Sequence, residues 1–375
     1  MRLAPLLVLA LLLSCAAPAN PSTARPAAPA PSSAGTPAQG VGGAPAAPGP
    51  AAGRAAAAPA PVTVRAGMIG SISDAGILVG IERGLFQDEG IEAVVERFDT
   101  GPAQITQLAA GNLEVASPTA DPGTFNAVVR GIPLRIVADK GSARPGFGFN
   151  AILLRKDLAD SGAVRDERDV RGRTFANLAR GTVGEPNIHR LLERGGLTPD
   201  DVNLQYMPFP DMNRALANQA IDLASSIEPF LTLALTQGVA VRFRGADEIS
   251  PGQQVAVLTY GPRFVAENPD AGRRFMAAYL RAVRLYNDAF AKHTPGVRDE
   301  MVQILIKHTP VKDAALYDRM VYPYLNPNGH VNLDSIKADF EWFRARGYIE
   351  GRIDVDSVID HSFADHAVGR LGRYE

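Results

Sequence analysis

Short hydroxyls, carboxylates and glycines gather at the points where a strand pattern gives way to a helix pattern. Ser71, Ser73 and Asp74 follow VTVRAGMI (62–69), and Thr119 and Asp121 follow LEVAS (113–117) with Pro118 between. Gly181 and Thr182, with Val183, precede a helical stretch from about Glu185. Ser226 ends DLASS (222–226), and Glu228 stands just beyond it. Hydroxyls donate and accept one hydrogen bond readily, and the free N–H groups at a helix start attract a polar or anionic group. That chemistry is reversible capture of a small polar solute. Asp74, Asp121 and Glu228 have a second reading as helix caps, as does Asp211, because a carboxylate accepts from orphan N–H groups at a helix start. If these acids face a cleft, they repel a dianion and suit an amine-bearing heterocycle or a neutral polar molecule. Arg144 is then the nearest counter-charge. Phe147, Phe149, Tyr206 and Phe209 could stack on a planar ligand, although such residues more often fill a core; Trp342 reads as packing.

Catalytic signatures are missing from the sequence. There is no Walker A segment and no G-x-S-x-G elbow. GFGFNA (146–151) has a G-x-G-x-x-A spacing but leads into a strand, not from a strand into a helix, so the dinucleotide reading fails its context. His361 and His366 are five apart and do not share a helical face, so no metal site is expected. No cofactor is expected either. The net charge of −2 mixes both signs, which gives no electrostatic footprint for nucleic acid.

Cys15 is the single cysteine. It follows Arg2 and the apolar run Leu3–Leu13, which is too short to cross a bilayer and reads as a signal-peptide core. Leu12-Leu13-Ser14-Cys15 resembles a bacterial lipobox. Residues 1–15 are therefore expected to be a lipoprotein signal ending at a lipidated Cys15. Residues 16–61 are mostly Ala, Pro, Gly and Ser, a composition that cannot bury enough apolar surface to order itself. They read as a disordered tether.

The remaining chain alternates strand and helix patterns, which implies α/β architecture with mostly parallel sheets. IEAVVERF (91–98), LEVAS (113–117) and PLRIVA (133–138) are strands, with helices over about 74–82, 102–110 and 122–130. DKGSARPGFGF (139–149) is Gly-rich and reads as an irregular crossing into a second series that begins at AILL (151–154). VAVLTY (255–260) returns the chain, and from Pro269 onward the pattern is mainly helical. The expected division is into two lobes: 62–145 with 250–375, including the C-terminal helices, and 146–249. An internal repeat supports two halves of like construction. LAAGNLEVAS (108–117) matches LANQAIDLAS (216–225), and each copy soon reaches an acid followed by proline, Asp121-Pro122 and Glu228-Pro229.

In this order, ERGLFQDEGIEAVVE (82–96), QLAAGNLEVAS (107–117), RGIPLRIVA (130–138), DVRGRTFAN (169–177), ALANQAIDLASSIEPF (215–230) and VIDHSFADHAVGRLG (358–372) resemble the SsuA-like periplasmic binding proteins, a group that includes thiamine-pyrimidine-synthase-like members. The resemblance implies a two-lobed type II periplasmic-binding-protein fold. It also implies an ABC permease and its ATPase as partners, with a solute of the sulfonate, nitrate or pyrimidine-precursor class; taken with the lipobox, the expectation is an extracytoplasmic, lipid-anchored monomer that closes on that solute and delivers it to the importer. Glu228 falls on the family's Glu-Pro position. The alternatives are a ligand-presenting sensor or adaptor and a thiamine-pyrimidine-synthesis enzyme. The last depends in that family on a cysteine-rich segment that this chain does not have.

Overall fold

A computed structural model describes residues 61–375. The signal segment, Cys15 and the tether through residue 60 lie outside the described residues. Among the described residues ten strands form two five-stranded sheets. They are β1 (Val62–Met68), β2 (Ile91–Arg97), β3 (Val115–Ala116), β4 (Arg135–Ala143), β5 (Asn150–Arg155), β6 (Thr174–Asn177), β7 (Asn203–Tyr206), β8 (Leu223–Ile227), β9 (Ala240–Gly245) and β10 (Gln253–Tyr260).

The first sheet runs β2-β1-β3-β10-β4 and the second β7-β6-β8-β5-β9. The two orders are equivalent, position by position. In each, the first three strands are mutually parallel and the fourth is antiparallel to both its neighbours. That fourth strand is the one arriving from the other sheet: β5 leaves the first sheet for the second, and β10 returns. Helices flank both sheets, and the fold is the two-lobed α/β type II arrangement with a helical C-terminal segment. The strand–helix alternation predicts the parallel strands correctly; the antiparallel fourth strand of each sheet is the part it does not show.

One expectation is corrected. Residues 139–143 are not irregular: they continue β4, paired to β10 from Gln253↔Ala143 to Val257↔Asp139 with shifts in register along the way. The partner strand supplies the ladder, with Gly141 paired to Ala256, and the register shifts on either side leave Val255 and Lys140 without a partner. The crossing itself is shorter, over residues 144–149, and the return runs through the helix Ala246–Ile249.

The first lobe is anchored by the helix Pro269–Phe290. Phe275, Met276, Tyr279, Leu280, Val283, Tyr286 and Phe290 are buried at helical spacing. Its partner is the helix Ala75–Glu82, which can approach because Gly76 has no side chain: a Cβ there would lie 2.3 Å from the Tyr279 ring. The segment after β1, which carries Ser71–Asp74, is thereby clamped from behind. In the second lobe, separate apolar clusters fill the two faces of the sheet, one around Leu153, Met212 and Leu231, the other around Phe175, Leu191 and Leu223.

Candidate functional site

The carboxyl ends of β1, β3, β6 and β8 converge on a cavity between the two sheets, where ligands of open α/β sheets bind. It encloses about 630 Å³ including its mouth. The first lobe contributes Ile69, Ser71 and Ser73 after β1, Ser117, Pro118 and Thr119 after β3, and Lys140 from β4. The second contributes Asn150, Asn177, Ser225 and Ile227 from its strands and Thr182, Val183 and Gly184 at the start of the helix Gly184–Arg194. Phe149 and Phe209 close the apolar walls. The lining is thus a greasy slot studded with hydroxyls and amides.

Lys140 lies at the floor, with Asp74 behind it. Both side chains are buried, with Nζ 2.8 Å from Asp74 Oδ1. Lys140 also donates to Ser73 Oγ at 3.0 Å and to the Ser117 carbonyl at 3.4 Å. Asp74 Oδ2 accepts from the N–H groups of Gly70 and Ser71 at 2.8 and 2.9 Å. A charge removed from water is costly unless paired and hydrogen-bonded, and both conditions are met here.

Of the residues singled out from sequence, Ser71, Ser73, Thr119 and Thr182 line the cavity. Asp74, Asp121, Gly181, Ser226 and Glu228 lie outside its lining, each for an identifiable reason. Asp74 is held by the loop and Lys140. Asp121 caps the helix Pro122–Val129, accepting from the Gly123 N–H at 3.0 Å and from the Thr119 hydroxyl at 2.6 Å. Glu228 accepts from the Thr232 N–H and hydroxyl at 3.1 and 2.9 Å and from the Val321 N–H at 3.2 Å. Burial pushes the Asp121 carboxyl up to about 6 and the Glu228 carboxyl up to about 7, against the pull of these hydrogen bonds. The Gly181 N–H turns to Glu185 Oε2 at 2.8 Å. Ser226 points to the far side of β8, its hydroxyl buried without a partner. These acids therefore give no reason to disfavour an anionic ligand: no carboxylate lines the cavity, and Asp74 is matched by Lys140. Arg144 is exposed at the crossing, stacked 3.8 Å above the Tyr324 ring. Asp211 pairs with Arg214 on the surface. Phe147 packs edge-on against Tyr324, while Trp342 packs against His189 and Phe343.

Sequence reasoning missed Lys140, Ser117, Asn150, Asn177, Gly184 and Ser225. The signal for Ser117 and Ser225 was present, because both are the final serine of the repeated segment. The buried Asn150 Oδ1 has no partner. Gly184 keeps the slot open: a Cβ there would lie 2.3 Å from Asn177 Oδ1 and 2.8 Å from Ser225 Oγ. Among the described residues no acceptor meets the N–H groups of Val183 and Gly184.

The lobes are tied beside the cavity. In the helix Gly184–Arg194, Asn187 donates to Gln253 Oε1 of β10 at 2.8 Å, and Arg190 donates to Asp339 Oδ1 at 2.8 Å. Gln253 Nε2 donates to Asp339 Oδ2 at 2.9 Å and to the Val183 carbonyl at 3.3 Å. Among the described residues, no cluster of three or more His, Cys, Asp or Glu is placed to hold a metal ion, and no helix is long and apolar enough to cross a membrane.

The NMT1-like family model matches residues 57–306. The chain is 26% identical over 318 residues to a Bacillus subtilis (strain 168) protein named "Putative aliphatic sulfonates-binding protein", covering 81% of this chain and 88% of that one. Among solved structures it is similar to the alkanesulfonate-binding protein SsuA from Xanthomonas axonopodis pv. citri bound to MOPS, with a TM-score of 0.66, 17% identity and coverage of 81% of this chain and 99% of the other. It is also similar to the periplasmic nitrate-binding protein NrtA from Synechocystis PCC 6803, with a TM-score of 0.68, 16% identity and coverage of 83% and 89%. At these identities the two solved structures speak for the fold.

Proposed function

Because the chain belongs to the NMT1-like family, we propose that it is an extracytoplasmic solute-binding protein that captures a small organic solute by closure of its lobes and delivers it to an ABC permease and its ATPase. The observation that carries this reading is the cavity walled by strand ends of both lobes, a geometry suited to hinge closure on a ligand. The relatives' names, sulfonate-binding and nitrate-binding, point to the sulfonate or nitrate class, with pyrimidine precursors as the further class. The role is binding and release without chemical conversion.

In this reading residues 62–145 and 250–375 move as one lobe and 146–249 as the other. Ser71, Ser73, Thr119 and Thr182 contact the solute together with Asn150, Asn177 and Ser225. Asp74, Asp121 and Glu228 hold the loops that present them. Cys15 carries the lipid, residues 16–61 tether the binding unit to the membrane, and the protein acts as a monomer.

Native mass spectrometry of freshly purified protein tests the proposal. A carried-over solute appears as added mass and leaves unchanged on denaturation. Sulfonates, nitrate and pyrimidines then raise the melting temperature by mass action. A protein that carries no added mass and whose melting temperature no member of that panel raises is not a solute-binding protein of this kind.

A further inference from the structure

The hydrogen-bond arithmetic at the cavity floor fixes the polarity of one contact. An ammonium has three hydrogens to donate and no lone pair. Lys140 has three acceptors within reach: Asp74 Oδ1 at 2.8 Å, Ser73 Oγ at 3.0 Å and the Ser117 carbonyl at 3.4 Å. Two of its hydrogens go to Ser73 and the Ser117 carbonyl and its charge faces Asp74, so the protein itself holds the ammonium, and the bond from Lys140 makes Ser73 an acceptor. Ser71 Oγ and Ser73 Oγ lie 2.6 Å apart and share one hydrogen bond.

The serine pair holds two hydroxyl hydrogens, and the mutual bond uses one. Asp74 does not take the other. Its Oδ2 is occupied by the Gly70 and Ser71 N–H groups, and its Oδ1 by Lys140 and, at 3.4 Å, by Ser117 Oγ. Among the described residues the remaining hydrogen has no protein acceptor, and both serines line the cavity. Chains of hydrogen bonds that start from a charge polarise each successive member.

We propose that Lys140 is a positioning residue that, through Ser73 and Ser71, holds a polarised hydroxyl hydrogen toward the cavity, so that the site takes a ligand presenting an oxygen lone pair there, as sulfonate or nitrate does, and disfavours an ammonium. This rests on the reading of the cavity as the solute site. A ligand N–H at the same place has to compete with the ammonium for the lone pairs of Ser73. An oxyanion meets a donor that is already aimed.

Calorimetric titration of the whole protein with ethanesulfonate, ethanesulfonamide, nitrate and ethylammonium tests it. Ser73→Ala cuts the chain of hydrogen bonds and leaves the ion pair in place. It lowers the affinity for ethanesulfonate by about tenfold, the worth of one charge-assisted hydrogen bond, and lowers that for ethanesulfonamide by much less. Ser73→Thr, which keeps the hydroxyl, restores the preference. The paired variant Lys140→Met with Asp74→Asn removes both buried charges together and loses the same preference. General damage to the site would weaken both probes alike. The proposal is overturned if Ser73→Ala leaves the sulfonate-to-sulfonamide ratio unchanged, if the wild-type protein prefers ethylammonium, or if it binds neither oxyanion. A carried-over amine without an oxygen acceptor would overturn it while leaving the solute-binding reading intact.

Discussion

Arg190 of the second lobe and Asp339 of the helix Leu333–Ala345, in the C-terminal segment, meet with Nη2 2.8 Å from Oδ1. Arg190 belongs to the helix whose first residues edge the cavity, so this pair ties that helix to the C-terminal segment. Burial raises the Asp339 carboxyl above its ordinary value, and the guanidinium opposes that rise.

Asp339→Asn keeps the shape and removes the charge. It is expected to cost about 2 kcal/mol in urea denaturation, less than a fully buried pair because Arg190 retains some access to water. Hydrogen exchange in the helix Gly184–Arg194 should accelerate at the same time. Unchanged stability with unchanged exchange would show that the pair does not hold the lobes.

Glu228 makes stability depend on pH in a defined direction. Its folded carboxyl is pushed from 4.5 up to about 7 by burial, so the folded state holds a proton that the unfolded chain has released. The resulting stabilisation is fully present below about pH 4.5 and is lost as pH rises through about 7. Asp121 and Asp139, both pushed up to about 6 by burial, add to the same trend below pH 6. Denaturation at a series of pH values should show stability falling between about pH 5 and 7.5, and Glu228→Gln should flatten that slope whatever its absolute cost. A slope of the opposite sign would show that the buried carboxyl stays ionised.

Gly184→Ala should block the site more than it harms the fold. The added methyl would sit against Asn177 Oδ1 and Ser225 Oγ, inside the space that a ligand needs. Affinity should fall by about tenfold or more, a loss of roughly 1.4 kcal/mol, and the carried-over mass in native spectra should fall with it. The melting temperature of the emptied protein should move by only a few degrees. Full occupancy would show that the slot relaxes around the methyl.

Adjacent serines on β8 should behave oppositely. Successive side chains of a strand face opposite sides; Ser225 faces the cavity, and Ser226 is buried with an unpartnered hydroxyl. Ser225→Ala should weaken solute binding at unchanged stability. Ser226→Ala should leave binding alone and be neutral or stabilising by up to about 1 kcal/mol, because an unsatisfied buried group is removed. Equal effects in a thermal-shift titration would contradict the assigned faces.

The repeat was the most informative sequence feature. LAAGNLEVAS and LANQAIDLAS end in β3 and β8, which both stand third in their sheets. Local signals sufficed there, because each copy carries its own helix end, strand and cap. Ser71, Ser73, Thr119 and Thr182 were legible for the same reason: they follow strands whose ends can be read from the chain. Lys140 was not. It lies in a run that looks like a glycine-rich crossing, and that run becomes strand only by pairing with β10, over a hundred residues away in sequence, with Lys140 at a shift in register. Pairing across that distance overrides local propensity and leaves no mark in a short window. The Lys140–Asp74 pair, which decides the charge of the cavity, was hidden with it. The acids were legible as residues that either cap or bind, and only their hydrogen bonds distinguish the two.

The antiparallel fourth strands also set an order of assembly. β10 stands between β3 and β4 and is the last strand in the chain. During synthesis the second sheet has all its strands once Gly245 has emerged. The first sheet, begun earlier, remains split, with β4 unpaired beside β2-β1-β3, until residues 253–260 emerge and fill the gap. The chain therefore completes its middle before its beginning. Truncation before Gln253 leaves the first sheet in two pieces, although most of its strands are present.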